Sequence, residues 1–134
     1  MHNVRSLAAM VAVSALVLVT SPAHAGYKAA GYSVTVDMTN RQAVGPLGSA
    51  RNTADGFQEI GCNLFVNTLG NTGGYCYATT SKGVRAVCNL SGSEQVDLAR
   101  NLSSDSMLWF QWNSSNQCTY IQTGVGSSWE PKVL

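Results

Sequence analysis

The residues of this chain best suited to recognition chemistry are aromatic, and most of them lie in its last third. They stand in a sequence rich in Asn, Gln, Ser and Thr. Aromatic rings pack against the C–H faces of sugars, while neutral amides hydrogen-bond sugar hydroxyls. The candidate ligand-binding residues are Trp109, Trp112, Tyr120 and Trp129, with Tyr75 and Tyr77 as a second patch. The alternative is that these side chains form the core of a small domain.

A secretory signal peptide is predicted over residues 1–25. Arg5 gives a basic start, the stretch from Leu7 to Val19 is almost wholly apolar, and Ala23-His24-Ala25 forms a small-residue cleavage box. The apolar stretch is shorter than the roughly 20 residues that span a bilayer. We therefore expect one mature domain, residues 26–134, that is secreted or periplasmic and has no membrane insertion after cleavage.

Histidine is absent from this predicted mature domain, because His2 and His24 both lie in the signal peptide. A domain without imidazole cannot build a Ser-His-Asp or Cys-His catalytic arrangement, or a histidine-ligated metal site. Oxidised cysteines would also leave no thiolate nucleophile. We predict no enzyme activity, no metal and no cofactor, with an enzyme that uses carboxylates only as an alternative.

Four cysteines, Cys62, Cys76, Cys88 and Cys118, are expected to form two disulfides. Their spacing lacks the C-x2-C or C-x4-C pairs of zinc sites. The sequence favours Cys62–Cys76 with Cys88–Cys118, because each bridge then stays within its own half of the chain. The pairing of Cys76 with Cys88 and of Cys62 with Cys118 remains open.

Charge excludes one class of partner. Arg5 is the single basic residue before residue 26, so seven basic residues balance seven acidic ones in the predicted mature chain. Neither sign forms a run. Because nucleic-acid binding needs clustered Lys and Arg side chains to neutralise phosphates, we predict no nucleic-acid partner.

Alternating apolar and polar residues predict a mainly β fold. The predicted strands are Tyr32–Met38, Phe57–Asn67, Gly74–Thr80, Val84–Leu90, Asp105–Trp112 and Gln117–Thr123. Short hairpin loops would set Cys62 opposite Cys76, and Cys76 opposite Cys88, on one core face. Ser93 is the predicted N-cap of one short helix. The expected fold class is an antiparallel β-sandwich or small barrel with one short helix and two disulfides.

Two further expectations concern where functional side chains lie. Trp109 and Trp112 are three residues apart in a strand, so one should point into the core and the other outward. Segment 39–56 carries Gly45-Pro46, Gly48 and Asp55-Gly56. It is predicted to be a long loop with turns that leaves room for a short strand, and loops of this length are often functional.

A spaced pattern resembles small exported bacterial proteins of uncharacterised function that carry two disulfides. The residues that carry it are Arg51-Asn52, Asp55, Gln58, Ile60-Gly61-Cys62, Cys76-Tyr77-Ala78, Cys88, Asp105-Ser106, Phe110-Gln111-Trp112, Cys118-Thr119, Ile121 and Pro131-Lys132. The resemblance covers most of the predicted mature chain. It implies export and a two-disulfide fold, and it assigns no role to individual residues.

Together these observations predict an exported, non-enzymatic binding module whose ligand is an extracytoplasmic glycan or protein. A secreted inhibitor of a protease or other hydrolase is an alternative, with segment 39–56 as its inhibitory loop, because a rigid loop loses little entropy on binding. A small enzyme that uses carboxylates only is the third hypothesis.

Overall fold

The computed structural model describes residues 32–129 and residue 131. The predicted signal peptide, residues 1–25, lies outside this range. The described elements are β1 (Thr35–Asp37), β2 (Gln42–Pro46), α1 (Leu47–Asn52), β3 (Glu59–Val66), β4 (Thr72–Thr79), β5 (Arg85–Asn89), α2 (Ser93–Arg100), β6 (Ser106–Trp112) and β7 (Cys118–Val125). The strands form two antiparallel sheets, ordered β1-β2-β6-β7 and β3-β4-β5.

The core lies between the two sheets and combines large side chains from one with small side chains from the other. From β6 come Leu108 and Phe110, both fully buried, and Trp112, which is 7% exposed. The buried apolar side chains of β4 and β5 are those of Cys76, Ala78, Ala86 and Cys88. Large groups over small ones let the two layers interdigitate at the density of a protein interior. The predicted β-sandwich class is confirmed.

The favoured disulfide pairing is confirmed. Cys62–Cys76 joins the neighbouring strands β3 and β4, with its Cα atoms 4.0 Å apart. Cys88–Cys118 joins β5 to β7, and so connects the two sheets, with its Cα atoms 5.1 Å apart. The predicted register is also correct, since Cys76 lies opposite both Cys62 and Cys88. One bridge therefore stiffens a hairpin, and the other holds the sandwich together.

A side-chain oxygen accepts backbone N–H groups at each of the four hairpin turns. The acceptors are Asp37, Asn67, Thr80 and Asn113, at distances of 2.9 to 3.3 Å. Asx and Ser/Thr turns of this kind are determined by a side chain and the backbone groups a few residues after it in the sequence. Because the turn sets the pairing of the strands that leave it, these side chains fix the register of the hairpins.

Segment 39–56 is not the long loop that the sequence predicts, although the short strand for which that prediction leaves room is present, and the segment adds a second short helix to the one predicted. It contains β2, which pairs with both β1 and β6, and the short helix α1. Gly45 and Pro46, which indicated a turn, are both buried. A Cβ added to Gly45 would lie 3.0 Å from Cγ2 of Val34, so the glycine permits close packing of neighbouring strands. Pro46 is the last residue of β2 and the N-cap residue of α1, where an N–H would have no intrahelical partner.

Strand β1 and helix α2 differ slightly from their predicted extents. Strand β1 covers Thr35–Asp37 and not the predicted Tyr32–Met38, and Met38 lies outside it with 57% of its surface exposed. Helix α2 begins at Ser93 itself, with Gly92 as the N-cap residue, so Ser93 does not cap it. Val96 and Ala99 are buried as the helical spacing predicts.

The loop that leads into β3 is attached to the start of β1 through two side chains. Oδ1 of Asp55 accepts the backbone N–H groups of Phe57 and Gln58, at 2.8 and 2.9 Å. The Gln58 side chain donates to Oδ2 of Asp55 at 2.6 Å, and its own oxygen accepts the N–H of Val34 at 2.7 Å. The hydrogen bonds that the Asp55 carboxylate accepts hold its pKa below the ordinary value of 3.8, and the bond from the Gln58 side chain has the largest effect.

Candidate functional site

The outer face of the four-stranded sheet carries three of the six aromatic residues singled out in the sequence, Trp109, Tyr120 and Trp129. In β6 the even-numbered residues are buried, and Met107, Trp109 and Gln111 face outward. The register sets Trp109 beside Val44 of β2 and Gln122 of β7. We call this surface the aromatic face; it consists of Tyr32, Val44, Met107, Trp109, Tyr120 and Trp129, together with Gln42, Gln111 and Gln122.

Trp109 and Tyr120 form the centre of the aromatic face. Their ring centroids are 5.2 Å apart with the planes at 63°, an edge-to-face contact. The Tyr120 hydroxyl donates to Oε1 of Gln122 at 2.8 Å, which orients both side chains. Tyr120 remains 41% exposed. The cluster thus presents two aromatic rings beside an amide whose N–H groups have no partner within the described part of the chain.

The aromatic face is almost uncharged. Asp37 is the only acidic or basic residue in the four strands of this sheet, and it lies at one end, paired with Gln42. Backbone and side-chain N–H groups of Asn40 donate to Asp37 and hold the pKa of its carboxyl below 3.8, so it is ionised and already hydrogen-bonded. The side chains of Gln42 and Gln111 contact one another at 3.4 Å. The polar groups offered here are mainly neutral amides.

A pocket of about 340 Å³ opens at the other end of the aromatic face. Its walls include Tyr32 and Trp129, whose ring centroids are 6.0 Å apart in an edge-to-face arrangement. Met107 and Pro46 complete the apolar lining, and Pro46 is fully buried. The volume is at the low end of the roughly 300–1,000 Å³ typical of small-ligand pockets. Sequence reasoning did not find this pocket, because Tyr32 was assigned to a strand and Met107 to no site.

The three tryptophans have different surroundings. Trp112 is buried against Phe110, with ring centroids 5.8 Å apart, so it belongs to the core and not to a ligand surface. Trp109 is half-buried and faces outward, which confirms that the two residues of this strand point to opposite sides. Trp129 is half-buried beside the pocket.

Tyr75 and Tyr77 lie on the outer face of the other sheet, away from the tryptophans. Their ring centroids are 6.3 Å apart. Burial, together with the charge of Glu59, raises the pKa of Tyr77, so its phenol stays protonated. The Tyr75 hydroxyl accepts from Nδ2 of Asn63 at 2.8 Å, and Arg85 lies 5.9 Å from the Tyr77 ring centroid. Here the polar groups largely satisfy one another, so this patch is the weaker candidate.

The described carboxylates mostly have structural partners. Asp55 organises the loop before β3, as described above. Exposed ion pairs join Glu59 to Arg85 at 2.9 Å and Asp97 to Arg100 at 2.8 Å. Among the described residues, no group of three or more His, Cys, Asp or Glu side chains could hold a metal ion. These contacts give no support to an enzyme that uses carboxylates only.

The inhibitor hypothesis loses the loop on which it rested. Segment 39–56 is packed into the four-stranded sheet and against β3, and Ser49 and Ala50 of its helix are buried. It therefore does not protrude as a binding loop. Within residues 32–129, no helix has the length and apolar character needed to cross a bilayer.

Comparisons with known proteins add no family. Neither a protein-family model, nor a curated protein, nor a solved structure matches this chain. The resemblance to small exported bacterial proteins accordingly stays a prediction, and function has to be argued from the aromatic face itself.

Proposed function

We propose that this protein is a non-enzymatic binding module that acts outside the cytoplasm and binds a neutral glycan on the aromatic face. The observation that carries the proposal is the cluster of Trp109, Tyr120 and Gln122 on a sheet surface almost without charge. It combines aromatic rings with an amide whose N–H groups are available to a ligand.

The chemistry of a sugar matches this combination. A pyranose ring has apolar C–H faces that pack on aromatic rings, and hydroxyls around its edge that both donate and accept hydrogen bonds. The amides of Gln42, Gln111 and Gln122 can do both as well. A ligand with several formal charges would find no opposite charge in the centre of this surface, and stripping its water would be costly.

The fold holds the aromatic face rigid. Trp109 lies on β6, which is paired on both sides, and Tyr120 lies on β7, which the Cys88–Cys118 bridge fastens to the other sheet. Side chains fixed before binding lose little conformational entropy when the ligand arrives. Binding sites on sheet strands are also more precise than sites on loops.

Location outside the cytoplasm is part of the proposal. Two disulfides form in the described domain, and such bonds persist mainly in oxidising compartments. The predicted signal peptide supplies a route for export. A secreted and a periplasmic destination are both compatible with these features.

The test is retention of the purified protein, with both disulfides formed, on a panel of insoluble polysaccharides that includes chitin, cellulose and peptidoglycan. Trp109→Ala and Tyr120→Ala should each weaken retention at least about tenfold, as expected for central anchors of a binding surface. Tyr75→Ala is the matched control, because Tyr75, like Tyr120, is a tyrosine with a solvent-accessible ring on an outer sheet face.

Three results decide the matter. Retention on one polysaccharide that falls with Trp109→Ala but not with Tyr75→Ala supports the proposal, provided that circular dichroism shows both variants folded. Retention that falls only with Tyr75→Ala would move the site to the other sheet. No retention on any polysaccharide would overturn the glycan proposal and direct the search to protein ligands.

A further inference from the structure

The pocket at the end of the aromatic face narrows the class of glycan. We propose that this pocket is a subsite for an N-acetylated sugar and that it recognises the acetamido group of that sugar. This inference rests on the proposed function. The proposal follows from the apolar walls of the pocket, from the polar atoms at its rim and from its lack of charge.

The walls of the pocket suit a methyl group. Met107, Pro46, Val44 and the rings of Tyr32 and Trp129 surround the space, and none of the pocket-lining residues is acidic or basic. A plain hydroxyl placed against these walls would lose its water and bury no apolar surface in return, and an ammonium or carboxylate would lose far more. An acetyl methyl is the apolar group that common sugars carry, and it would bury its surface favourably.

Polar atoms at the rim suit the amide of an acetamido group. Oγ1 of Thr35 donates to the carbonyl oxygen of Val44 at 3.4 Å, which leaves its lone pairs available to accept an N–H. Ser33, an exposed residue, also belongs to the lining, which is otherwise almost wholly apolar. An acetamido N–H would therefore find an acceptor close to the apolar walls.

The indole of Trp129 supplies a complementary donor. Its Nε1 lies over Gly124, 3.7 Å from where a Cβ on that glycine would stand, and it has no acceptor within the described part of the chain. An indole N–H can only donate, so it suits the carbonyl oxygen of the acetamido group. The methyl, N–H and C=O of the ligand group thus each have a counterpart at this end of the face.

Size agrees with this assignment. A pocket of about 340 Å³ holds a ligand of one or two rings. The remaining sugars of the chain would continue across Trp109 and Tyr120, on the rest of the aromatic face. The pocket would then set which sugar is chosen, while the aromatic centre would bind features common to many glycans.

Matched hexasaccharides test the inference. The β-1,4-linked N-acetylglucosamine hexamer and cellohexaose share their linkage and differ at C2, where one carries an acetamido group and the other a hydroxyl. The fully deacetylated hexamer carries an ammonium at the same place. By isothermal titration calorimetry, the N-acetylated hexamer should bind the unmodified protein at least about tenfold more tightly than either other ligand.

Two conservative variants locate that preference in the pocket. Trp129→Phe keeps a ring but removes the N–H, and Thr35→Val keeps the shape but removes the hydroxyl. Each should reduce the preference for the N-acetylated hexamer about two- to tenfold, the effect of one hydrogen bond. Each variant should change the affinity for cellohexaose less than it changes the affinity for the N-acetylated hexamer. Tyr75→Phe, on the other sheet, should change neither affinity.

The failures can be told apart. Equal binding of the N-acetylated hexamer and cellohexaose, or a preference that both pocket variants leave unchanged, would overturn the inference and leave glycan binding in place. Tighter binding of the deacetylated hexamer would also overturn it. If no hexamer and no polysaccharide of the panel binds, the proposed function itself fails.

Discussion

Removal of the Cys88–Cys118 bridge should destabilise the protein more than removal of Cys62–Cys76. The first bridge closes a sequence separation of 30 residues and joins the two sheets; the second closes 14 residues within one hairpin. In the chain-entropy model these loops contribute about 3.6 and about 3.0 kcal/mol.

Packing adds to the difference between the two bridges. Cys88 and Cys118 are 0% and 2% exposed, so a change to alanine also leaves space in the core. In the other bridge Cys76 is also 0% exposed, but Cys62 is only partly buried, so less core space would be left. A loss of about 3.6 kcal/mol is a large share of the 5–15 kcal/mol that stabilises an average domain. For a domain of this size it corresponds to a fall in Tm of roughly 15–30 °C.

The double variants Cys88→Ala/Cys118→Ala and Cys62→Ala/Cys76→Ala should be compared by urea unfolding, followed by tryptophan fluorescence. We expect both to fold, because the apolar core remains, and Asn89 still donates its backbone N–H to the oxygen of Asn116, at 2.8 Å, where β5 meets the β6–β7 turn. A smaller loss of unfolding free energy for the Cys88 pair than for the Cys62 pair would refute this reasoning, and so would a loss below about 1 kcal/mol.

Three further changes test the packing described above. Gly74→Ala should lower the free energy of unfolding in urea by about 1–3 kcal/mol, because its Cβ would lie 2.6 Å from a backbone oxygen of the neighbouring strand β3. Gly124→Ala should be neutral or stabilising, because its Cβ would have contacts at 3.7 Å. Equal losses for the two variants would contradict this geometry. Trp112→Ala should lower the free energy of unfolding by about 3–5 kcal/mol, and Trp109→Ala should lower it by less than half as much, again in urea. The reverse order would show that Trp109 is the core residue. Asp55→Asn should be destabilising at pH 7, because the Asp55 carboxylate has a lowered pKa in the folded state. Its contribution to stability is present above pH 3.8 and is lost as the pH falls through the folded-state pKa. Plots of unfolding free energy against pH for the variant and the unmodified protein should therefore converge at acid pH. A gap that stays constant down to acid pH would contradict the role given to Asp55.

The parts of the fold that could be predicted are those that neighbouring residues determine. Hairpins were readable because period-two alternation sets the faces of each strand, and short turn sequences set the pairing. Cys76 opposite Cys62 and Cys88 followed from that register, and so did the favoured disulfide pairing. The opposite orientations of Trp109 and Trp112 followed from the same alternation.

The missed elements depend on contacts between distant residues. Gly45 and Pro46 have the composition of a turn, yet the close approach of Val34 makes them part of a buried strand. The pocket was missed for a related reason, because Tyr32 and Trp129 stand at the two ends of the described chain and only the folded sheet brings them together. No local pattern signals such a pair.

The spaced pattern that carried the family resemblance now has a physical reading. Asp55 and Gln58 fasten a loop to the start of β1, and Gly61 leaves room for Tyr77, whose hydroxyl would be 3.2 Å from an added Cβ. Asn52 donates to the backbone oxygen of Pro131 at 3.0 Å. Because these residues maintain the architecture, a pattern built from them describes a fold more than an activity.

Glycan binding on the aromatic face can be observed residue by residue when the isotopically labelled protein is titrated with the N-acetylglucosamine hexamer and cellohexaose in two-dimensional NMR. With at least one ligand, we expect the indole N–H signal of Trp109 to shift, together with signals of Gln122 and Tyr120. The signal of buried Trp112 should stay nearly in place. Glycan binding on the aromatic face would be contradicted by shifts confined to the sheet that carries Tyr75. It would also be contradicted by the absence of shifts at millimolar concentrations of either ligand or of any other neutral oligosaccharide.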